Sequence, residues 1–433
     1  MKVMLINPPD SAQDDFSNPP LGLLSLASYV RDICDVCVVD GYINGWSGIV
    51  NAIEEYDPDL IGVTCLTPGR HEALRVMRIA KMHNPKTITV LGGVHPTLMW
   101  WQLLHEYRDL DYIVMGEGEQ TLREIILGDP IKNIDGLAFR CGNHIYKNHV
   151  RRYTNNLDDY SMPAWDLIDL SKYPARGVDG MPRIGVAFGR GCVGHCNFCS
   201  TWKIWRGYRH RTPENMADEL EYLYNNGYTS FSFTDDCFTV DRQAIIELCG
   251  EIQRRKLSIM FIASTRTDKV DPELLSCLKN AGCYEISYGI ETASPGLLED
   301  MGKDNCIENN RKAIQDTKQA GIRAVALMIT GNMGETDQTI NDTLQFLRES
   351  KPDGVGCVGG LWVLPGTKVY DVCKQRGLIT DDYWLGSEPY MLYTAEASKE
   401  KICEWRDQII NYDLEARLKN TYNMALGKLR GMV

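Results

Sequence analysis

No stretch of this 433-residue sequence reaches the roughly 18 consecutive apolar residues that a membrane-spanning helix needs, which argues against a helical span. The opening Met1-Lys2-Val3-Met4-Leu5-Ile6 runs straight into Asn7-Pro8-Pro9, with no basic stretch and apolar core of the kind that marks a secretory leader. Basic residues are in the minority. With 46 Lys and Arg against 58 Asp and Glu the net charge is −12, whereas a general nucleic-acid binder carries a basic face. Fifteen cysteines without a leader are expected in a reducing cytoplasm rather than in a disulfide framework. What the chain does have is 44% hydrophobic residues, enough at this length for two or three domains with substantial cores.

Three of the cysteines stand together in Gly189-Arg190-Gly191-Cys192-Val193-Gly194-His195-Cys196-Asn197-Phe198-Cys199-Ser200, spaced C-x3-C-x2-C with no fourth nearby. A closed zinc site usually takes four protein ligands. Three thiolates on one loop fit a 4Fe–4S cluster with one iron left open, and Gly191 and Gly194 let the loop curl around it. The alternative is three cysteines buried as small hydrophobes. The stretch resembles the signature of the radical S-adenosylmethionine (SAM) superfamily. The resemblance implies that Cys192, Cys196 and Cys199 hold the cluster. It also implies that the open iron binds the amino and carboxylate groups of SAM, and that an electron then cleaves SAM to a 5′-deoxyadenosyl radical.

Upstream, apolar runs alternate with amphipathic stretches. Strands are predicted over 2–6, 36–39, 60–64, 87–91 and 112–115, and helices over 21–31 and 71–82, where Ala73, Val76, Ile79 and Ala80 share a face. This alternation predicts a doubly wound parallel sheet, with ligands outside the carboxyl ends of its strands. Small and turn-forming residues collect at those ends: Asn7-Pro8-Pro9, Gly92-Gly93-Val94-His95-Pro96-Thr97 and Gly116-Glu117-Gly118-Glu119. The last fails as a dinucleotide fingerprint, lacking the third glycine and carrying acids that would oppose a pyrophosphate. Together with Pro20-Leu21-Gly22 and Asp57-Pro58-Asp59-Leu60-Ile61-Gly62 the set resembles the cobalamin-binding domain that precedes the radical core in one radical-SAM branch. The resemblance implies cobalamin contacts from Asn7, Pro8, Thr64, Cys65, Leu66, Thr67, Gly92, Gly93, His95, Pro96, Thr97, Gly116, Glu117, Gly118 and Glu119. None of the eight histidines lies in an Asp-x-His-x-x-Gly motif, so it further implies cobalamin with its own base displaced and no histidine beneath the cobalt. A flavodoxin-like domain without a cofactor is the alternative. Cys34 and Cys37 form an isolated C-x2-C that reads as buried rather than as a second metal site.

A hairpin with arms at 136–139 and 144–147 follows, then a linker rich in Asn, Asp, Pro and Tyr. Beyond it strands are expected over 184–188, 230–234, 258–263, 285–289, 324–329 and 354–364, and helices from Thr212 and over 242–253, 272–280, 309–319 and 339–348. Six strands match the partial (β/α)6 barrel of the superfamily, whose chemistry sits at the strands' carboxyl ends. Asp235 and Asp236 follow the second strand, where the family places acceptors for the SAM ammonium. Ser264 and Arg266 follow the third, where an arginine fork suits the SAM carboxylate. Glu291 closes the fourth and suits ribose hydroxyls, and Leu364 and Pro365 follow the sixth and resemble the family's adenine-side loop. Trp202, Lys203, Trp205, Arg206, Arg209, His210 and Arg211 form a basic aromatic patch, read as packing and charge balance for the cluster loop rather than as an RNA site.

The expected organisation is a Rossmann-like cobalamin domain over 1–149, a linker over 150–182, the radical core over 183–370 and a mostly helical segment over 371–433. That segment carries helices over 371–376 and 398–418 and is expected to cover the barrel mouth. The resemblance, which covers most of 1–390, implies a methyltransferase acting on an unactivated carbon. One SAM would methylate the cobalt and a second would yield the radical. A small molecule, a lipid or a peptide or protein side chain would be the substrate, and a flavodoxin or ferredoxin the electron donor. A cyclase or rearrangement without methyl transfer, and a non-enzymatic corrinoid or iron–sulfur protein, are the alternatives.

Overall fold

The computed structural model describes residues 1–9, 18–177, 179–388 and 390–412. The first sheet comprises β1 (Lys2–Asn7), β2 (Asp35–Asp40), β3 (Leu60–Thr64), β4 (Ile88–Gly92), β5 (Tyr112–Val114), β6 (Leu137–Cys141) and β7 (His144–Lys147), in the order β2-β1-β3-β4-β5-β6-β7. Its first five strands are parallel, and β6 and β7 close one edge as the expected antiparallel hairpin. Alternate residues of one strand enter different cores. Met4 and Ile6 pack with Ile61, Val63 and Leu91, whereas Val3 and Leu5 pack with Leu60, Val90 and Val114. Burial on both faces is why these strands read as apolar runs rather than as alternating patterns.

Five helices accompany this sheet: α1 (Leu21–Val30), α2 (Gly41–Tyr56), α3 (Arg70–His83), α4 (Val94–Glu106) and α5 (Glu119–Leu127). Three of them lie where no helix is predicted. In α2 the glycines dilute the signal, and Gly45 at φ 63 breaks the helix internally. Helix α4 opens inside what reads as a Gly-Pro loop, because Pro96 falls in its first turn, where a missing N–H costs nothing. Helix α5 starts at Glu119 itself.

The second sheet is all parallel: β8 (Arg183–Val186), then, past the short antiparallel pair β9 (Gly189–Arg190) and β10 (Arg209–His210), β11 (Ser230–Phe233), β12 (Met260–Thr265), β13 (Cys283–Glu291), β14 (Arg323–Thr330) and β15 (Gly354–Gly359). Its order, β15-β14-β13-β12-β11-β8, is the open six-stranded half-barrel. In β12, β13 and β14 fully buried residues alternate with partly exposed ones. One face packs on the surrounding helices through residues such as Phe261, Ile286 and Ala326. The other face is concave and carries Ser264 and Glu291. The first helix after the cysteine loop to be well capped is Pro213–Asn225, with Thr212 accepting from the Asn215 N–H and proline at its first turn.

The sixth strand stops at Gly359 rather than running to Leu364. Gly360 at φ 129 turns the chain away, and Leu361, Val363, Val369, Tyr370, Trp384 and Tyr393 enter the core of the first sheet. Arg70 fastens this return, its buried guanidinium donating to the carbonyls of Trp384 and Gly386 at 2.8 Å each. The helix Lys399–Ile410 packs on the last strands of the half-barrel through Ile402, Trp405 and Ile409, and the Trp405 indole donates to Asp337 at 2.7 Å. Residues 413–418 of the predicted final helix lie outside the described residues. Among the described residues no helix is long and apolar enough to cross a membrane.

Candidate functional site

Strand β8 delivers the chain to the cysteine loop. At Gly191, φ is 95, and a Cβ there would lie 1.9 Å from the Gly207 carbonyl oxygen, so only glycine lets the loop turn beside its returning arm. The far side of the loop is stitched to the segment after the helix Pro295–Asp300. Asn197 donates from its backbone to Met301 O at 2.8 Å and from its side chain to Asp300 O at 2.9 Å.

Gly194 lies between the first two thiols. A Cβ there would sit 3.6 Å from Cys192 Sγ, 3.7 Å from Cys196 Sγ and 3.2 Å from an Arg266 Nη1. The missing side chain thus leaves a cradle floored by thiols and edged by a guanidinium. A hydrogen bond from Cys237 draws the Cys192 thiol down to about 6, while burial pushes those of Cys196 and Cys199 up. Soft thiolates in this arrangement suit iron and sulfide, so the residues present fit a cluster.

The second sheet's carboxyl ends supply charged groups around that cradle. Arg266 is held by Asp268 at 2.8 Å and by the Asp304 carbonyl at 2.7 Å, and so aims at the cysteine loop. Glu291, at φ 66, sits at a bulge in β13 and accepts from Lys303 Nζ at 2.6 Å. Lys303 also donates to the Gly289 carbonyl. Ser264 lies on the concave face, its carbonyl accepting from the Phe238 N–H at 3.0 Å. Asp236 accepts from the Thr201 hydroxyl at 3.1 Å. Asp235 is turned inward, accepting from the backbone N–H groups of Gly189 at 2.6 Å and Phe188 at 3.1 Å, and burial pushes its carboxyl up to about 7 despite those donors. Its oxygens brace the approach to the cysteine loop. Leu364 and Pro365 lead into Gly366, which abuts the first domain: a Cβ there would meet Leu98 of α4 at 2.7 Å.

A cavity of about 410 Å³ joins the two sheets. From the first it is lined by Gly62 and Thr64 of β3, Gly92 and Gly93 after β4, and Gly116 to Glu119 after β5; from the second by Gly189, Arg190, Thr234, Asp235 and Asp236. Where β3 and β4 would present side chains, glycines leave a slot that reaches back to Leu5, Val90 and Val114. Space made by omitted side chains suits a large flat corrin with a tail to bury, so these residues fit cobalamin.

Of the fifteen residues implied for cobalamin, Thr64, Gly92, Gly93, Gly116, Glu117, Gly118 and Glu119 line this cavity. Glu117 and Glu119 are bound elsewhere as well. Glu117 pairs with Arg209 at 2.6 Å and Arg190 at 3.1 Å, and Glu119 with Arg190 at 2.6 Å, in a buried cluster joining the two domains. The remaining eight lie outside the lining. Asn7 donates to Asp40 at 2.9 Å, and Pro8 is buried beside it. The loop after β3 is fixed by Cys65 N–H to Gly92 O at 2.8 Å and by His95 Nδ1 against the Thr67 hydroxyl at 3.1 Å, leaving Leu66 half exposed at its tip. Pro96 and Thr97 belong to the first turn of α4.

Sequence reasoning passed over Arg190, Cys237 and Lys303. Arg190 was readable, standing two residues before Cys192 in a Gly-Arg-Gly run, and Cys237 follows the noted Asp-Asp pair directly. Nothing local marks Lys303, which a fold-level contact alone brings to Glu291.

Known proteins share this arrangement. The family model described as B12 binding domain matches residues 12–126, and that described as Radical SAM superfamily matches residues 186–347. The Uncharacterized methyltransferase PH0819 of Pyrococcus horikoshii is 31% identical over 399 residues, covering 89% of this chain and 85% of its own length. The anaerobic magnesium-protoporphyrin IX monomethyl ester cyclase of Rubrivivax gelatinosus is 33% identical, over 82% of this chain and 66% of its own. Among solved structures, the radical SAM methyltransferase TsrM from Kitasatospora setae, with cobalamin and a [4Fe-4S] cluster bound, superposes with a TM-score of 0.74 at 20% identity, over 86% of this chain and 75% of that one. The cobalamin-dependent radical SAM enzyme OxsB, with aqua-cobalamin and SAM bound, gives 0.71 at 19% identity, over 98% and 61%. The chain belongs to the cobalamin-dependent radical SAM enzyme family, with a [4Fe–4S] cluster, SAM and cobalamin as its cofactors.

Proposed function

We propose that this enzyme methylates an unactivated carbon, using one SAM to charge the cobalt and a second to generate the radical. The observation that carries the reading is the single cavity running from the glycine-lined ends of β3–β5 to Asp235 and Asp236 beside the cysteine loop. Cys192, Cys196, Cys199, Ser264, Arg266 and Glu291 lie outside that lining, but Asp235 and Asp236 bring the cobalamin-side cavity up to the SAM side, so a substrate carbon held there can reach both cofactors. When bound, cobalamin supplies a transferable methyl group, and the cluster with SAM supplies a 5′-deoxyadenosyl radical. The chain's own residues position. Cys192, Cys196 and Cys199 hold the cluster, and Arg266 and Asp236 orient the carboxylate and ammonium of SAM. Ser264 and Glu291 face its ribose from the concave side, with Leu364 and Pro365 towards the adenine. Lys303 fixes the Glu291 carboxylate, and the Arg190 cluster with Glu117 and Glu119 keeps the two domains in register. The substrate is a small molecule, a lipid or a peptide side chain, and the enzyme works in the cytoplasm with an external electron donor. The relative named as a methyltransferase supports this reading.

A second reading is favoured by the cyclase relative, at 33% identity: radical chemistry in the same chamber without net methyl transfer. Assay of the reconstituted enzyme separates the two. Methyl transfer yields S-adenosylhomocysteine together with 5′-deoxyadenosine and a methylated product, whereas deoxyadenosine alone would sink the methyltransferase reading.

A further inference from the structure

We infer that the short helix α6 (Thr201–Trp205) and the outer side of the cysteine loop form the docking surface of an acidic one-electron carrier protein. The inference rests on the radical-SAM assignment and is independent of methyl transfer. Gly194, with Arg266 and the thiols of Cys192 and Cys196 around it, marks the cluster side of the loop, and an electron enters from the loop's exposed side. There the loop exposes Val193 and His195. The His195 ring lies 5.5 Å from that of Trp202, and Lys203 Nζ sits 4.3 Å over the indole. An aromatic step therefore leads from an exposed cation to the residue next to Cys196.

The basic residues of this stretch divide sharply. Arg209 is committed to buried Glu117, and Arg211 to buried Glu219. Lys203 and Arg206 are exposed, and among the described residues neither forms an ion pair. Arg206 ends α6 in a left-handed conformation at φ 50, followed by Gly207. The turn it makes sets Gly207 against Gly191 of the cysteine loop and leaves the Arg206 side chain exposed at the end of α6. A chain of net charge −12 repels an acidic partner at long range, so a local cationic patch over the cluster supplies both steering and register. Two cations make too small a stripe for a nucleic-acid backbone. In the transfer, the reduced carrier loses one electron and the cluster gains it, with no bond made or broken.

The test uses the cluster-reconstituted protein and an acidic flavodoxin as probe. Calorimetric titration of the wild type should give a Kd that weakens with added salt. Lys203→Glu with Arg206→Glu should weaken it by about tenfold or more at low salt and flatten the salt dependence. Bleaching of the cluster by dithionite, which needs no docking, should proceed within about twofold of the wild-type rate. The neutral pair Lys203→Gln with Arg206→Gln should fall between, and serves if the reversal does not fold. An unchanged Kd overturns the inference. So does equal loss of dithionite reduction, which would make α6 packing for the loop. Loss of binding to single-stranded RNA with flavodoxin binding intact would overturn it in favour of a nucleic-acid surface.

Discussion

The carboxyl ends of the two sheets make opposite kinds of site. The first sheet's cavity is lined by Gly62, Gly92, Gly93, Gly116 and Gly118, and the acids among them are neutralised by arginines from the other domain. Around the second the facing groups are Asp236, Arg266, Glu291 and Lys303, charged and held in fixed pairs. A large cofactor that brings its own functional groups needs room, which a chain makes by omitting side chains. A small zwitterionic cofactor needs charges at set places, which only side chains supply. The two halves should therefore fail differently.

The largest effect should come at the thiols. Cys196→Ala removes one of the three proposed cluster ligands, and iron content together with SAM cleavage should fall to background while cobalamin still binds. Loss of cobalamin as well would break the separation between the halves. Next is Gly92→Val. A Cβ at Gly92 meets nothing nearer than Val114 O at 4.0 Å, so the new side chain enters the cavity with little backbone penalty. Cobalamin retention after gel filtration should drop by about tenfold or more, as for other groups that lose a preformed pocket, with iron content unchanged. Third is the seam. Arg190→Met strips buried Glu119 of its partner and Glu117 of one of two. Breaking a buried pair in this way costs about 3–5 kcal/mol, read as a lower melting temperature, with the first domain separating from the second in limited proteolysis.

How much of this the sequence discloses also follows the division. The radical-SAM family was readable from the cysteine loop, because short-range spacing is a local property. The half-barrel strands were readable because each is an apolar run between amphipathic helices. Glycine ends were legible as a set, yet not which of them face the cavity: Gly92 lines it, while His95, three residues on, is buried in α4. Long-range commitments were illegible. Nothing local to Glu117, which lines the cavity, shows that Arg209, 92 residues away, also pairs with it. Leu361 and Val363 read as the end of a barrel strand because apolar pattern records burial but not which core does the burying.

The smallest expected effect is in pH dependence, where the halves should diverge in sign. His95 lies buried near Arg70 and His71, and burial first, then those neighbours, draws its imidazole down to about 3. Its folded form binds no proton where the unfolded chain, near 6.5, does, so its contribution is intact above 6.5 and lost as pH falls towards 3. At pH 5 the loss is roughly 2 kcal/mol. Glu335, buried after β14 with the Asn332 and Gly331 backbone N–H groups and the Asn332 amide to soften the cost, is pushed up to about 7. Here the folded form holds a proton that the unfolded chain has released above about 4.5. Its contribution is therefore present at low pH and lost as pH rises through 7, by roughly 1 kcal/mol between pH 6 and 8. Melting temperatures against pH for His95→Gln and Glu335→Gln should show this. The first should flatten only the rise in stability between about pH 3 and 6.5, and the second only the fall between about pH 4.5 and 7, whatever each costs at neutral pH. If both variants flattened the same limb, the two halves would not titrate as separate environments, and the contrast between a site built by omission and a site built from charges would stop at the cavity wall.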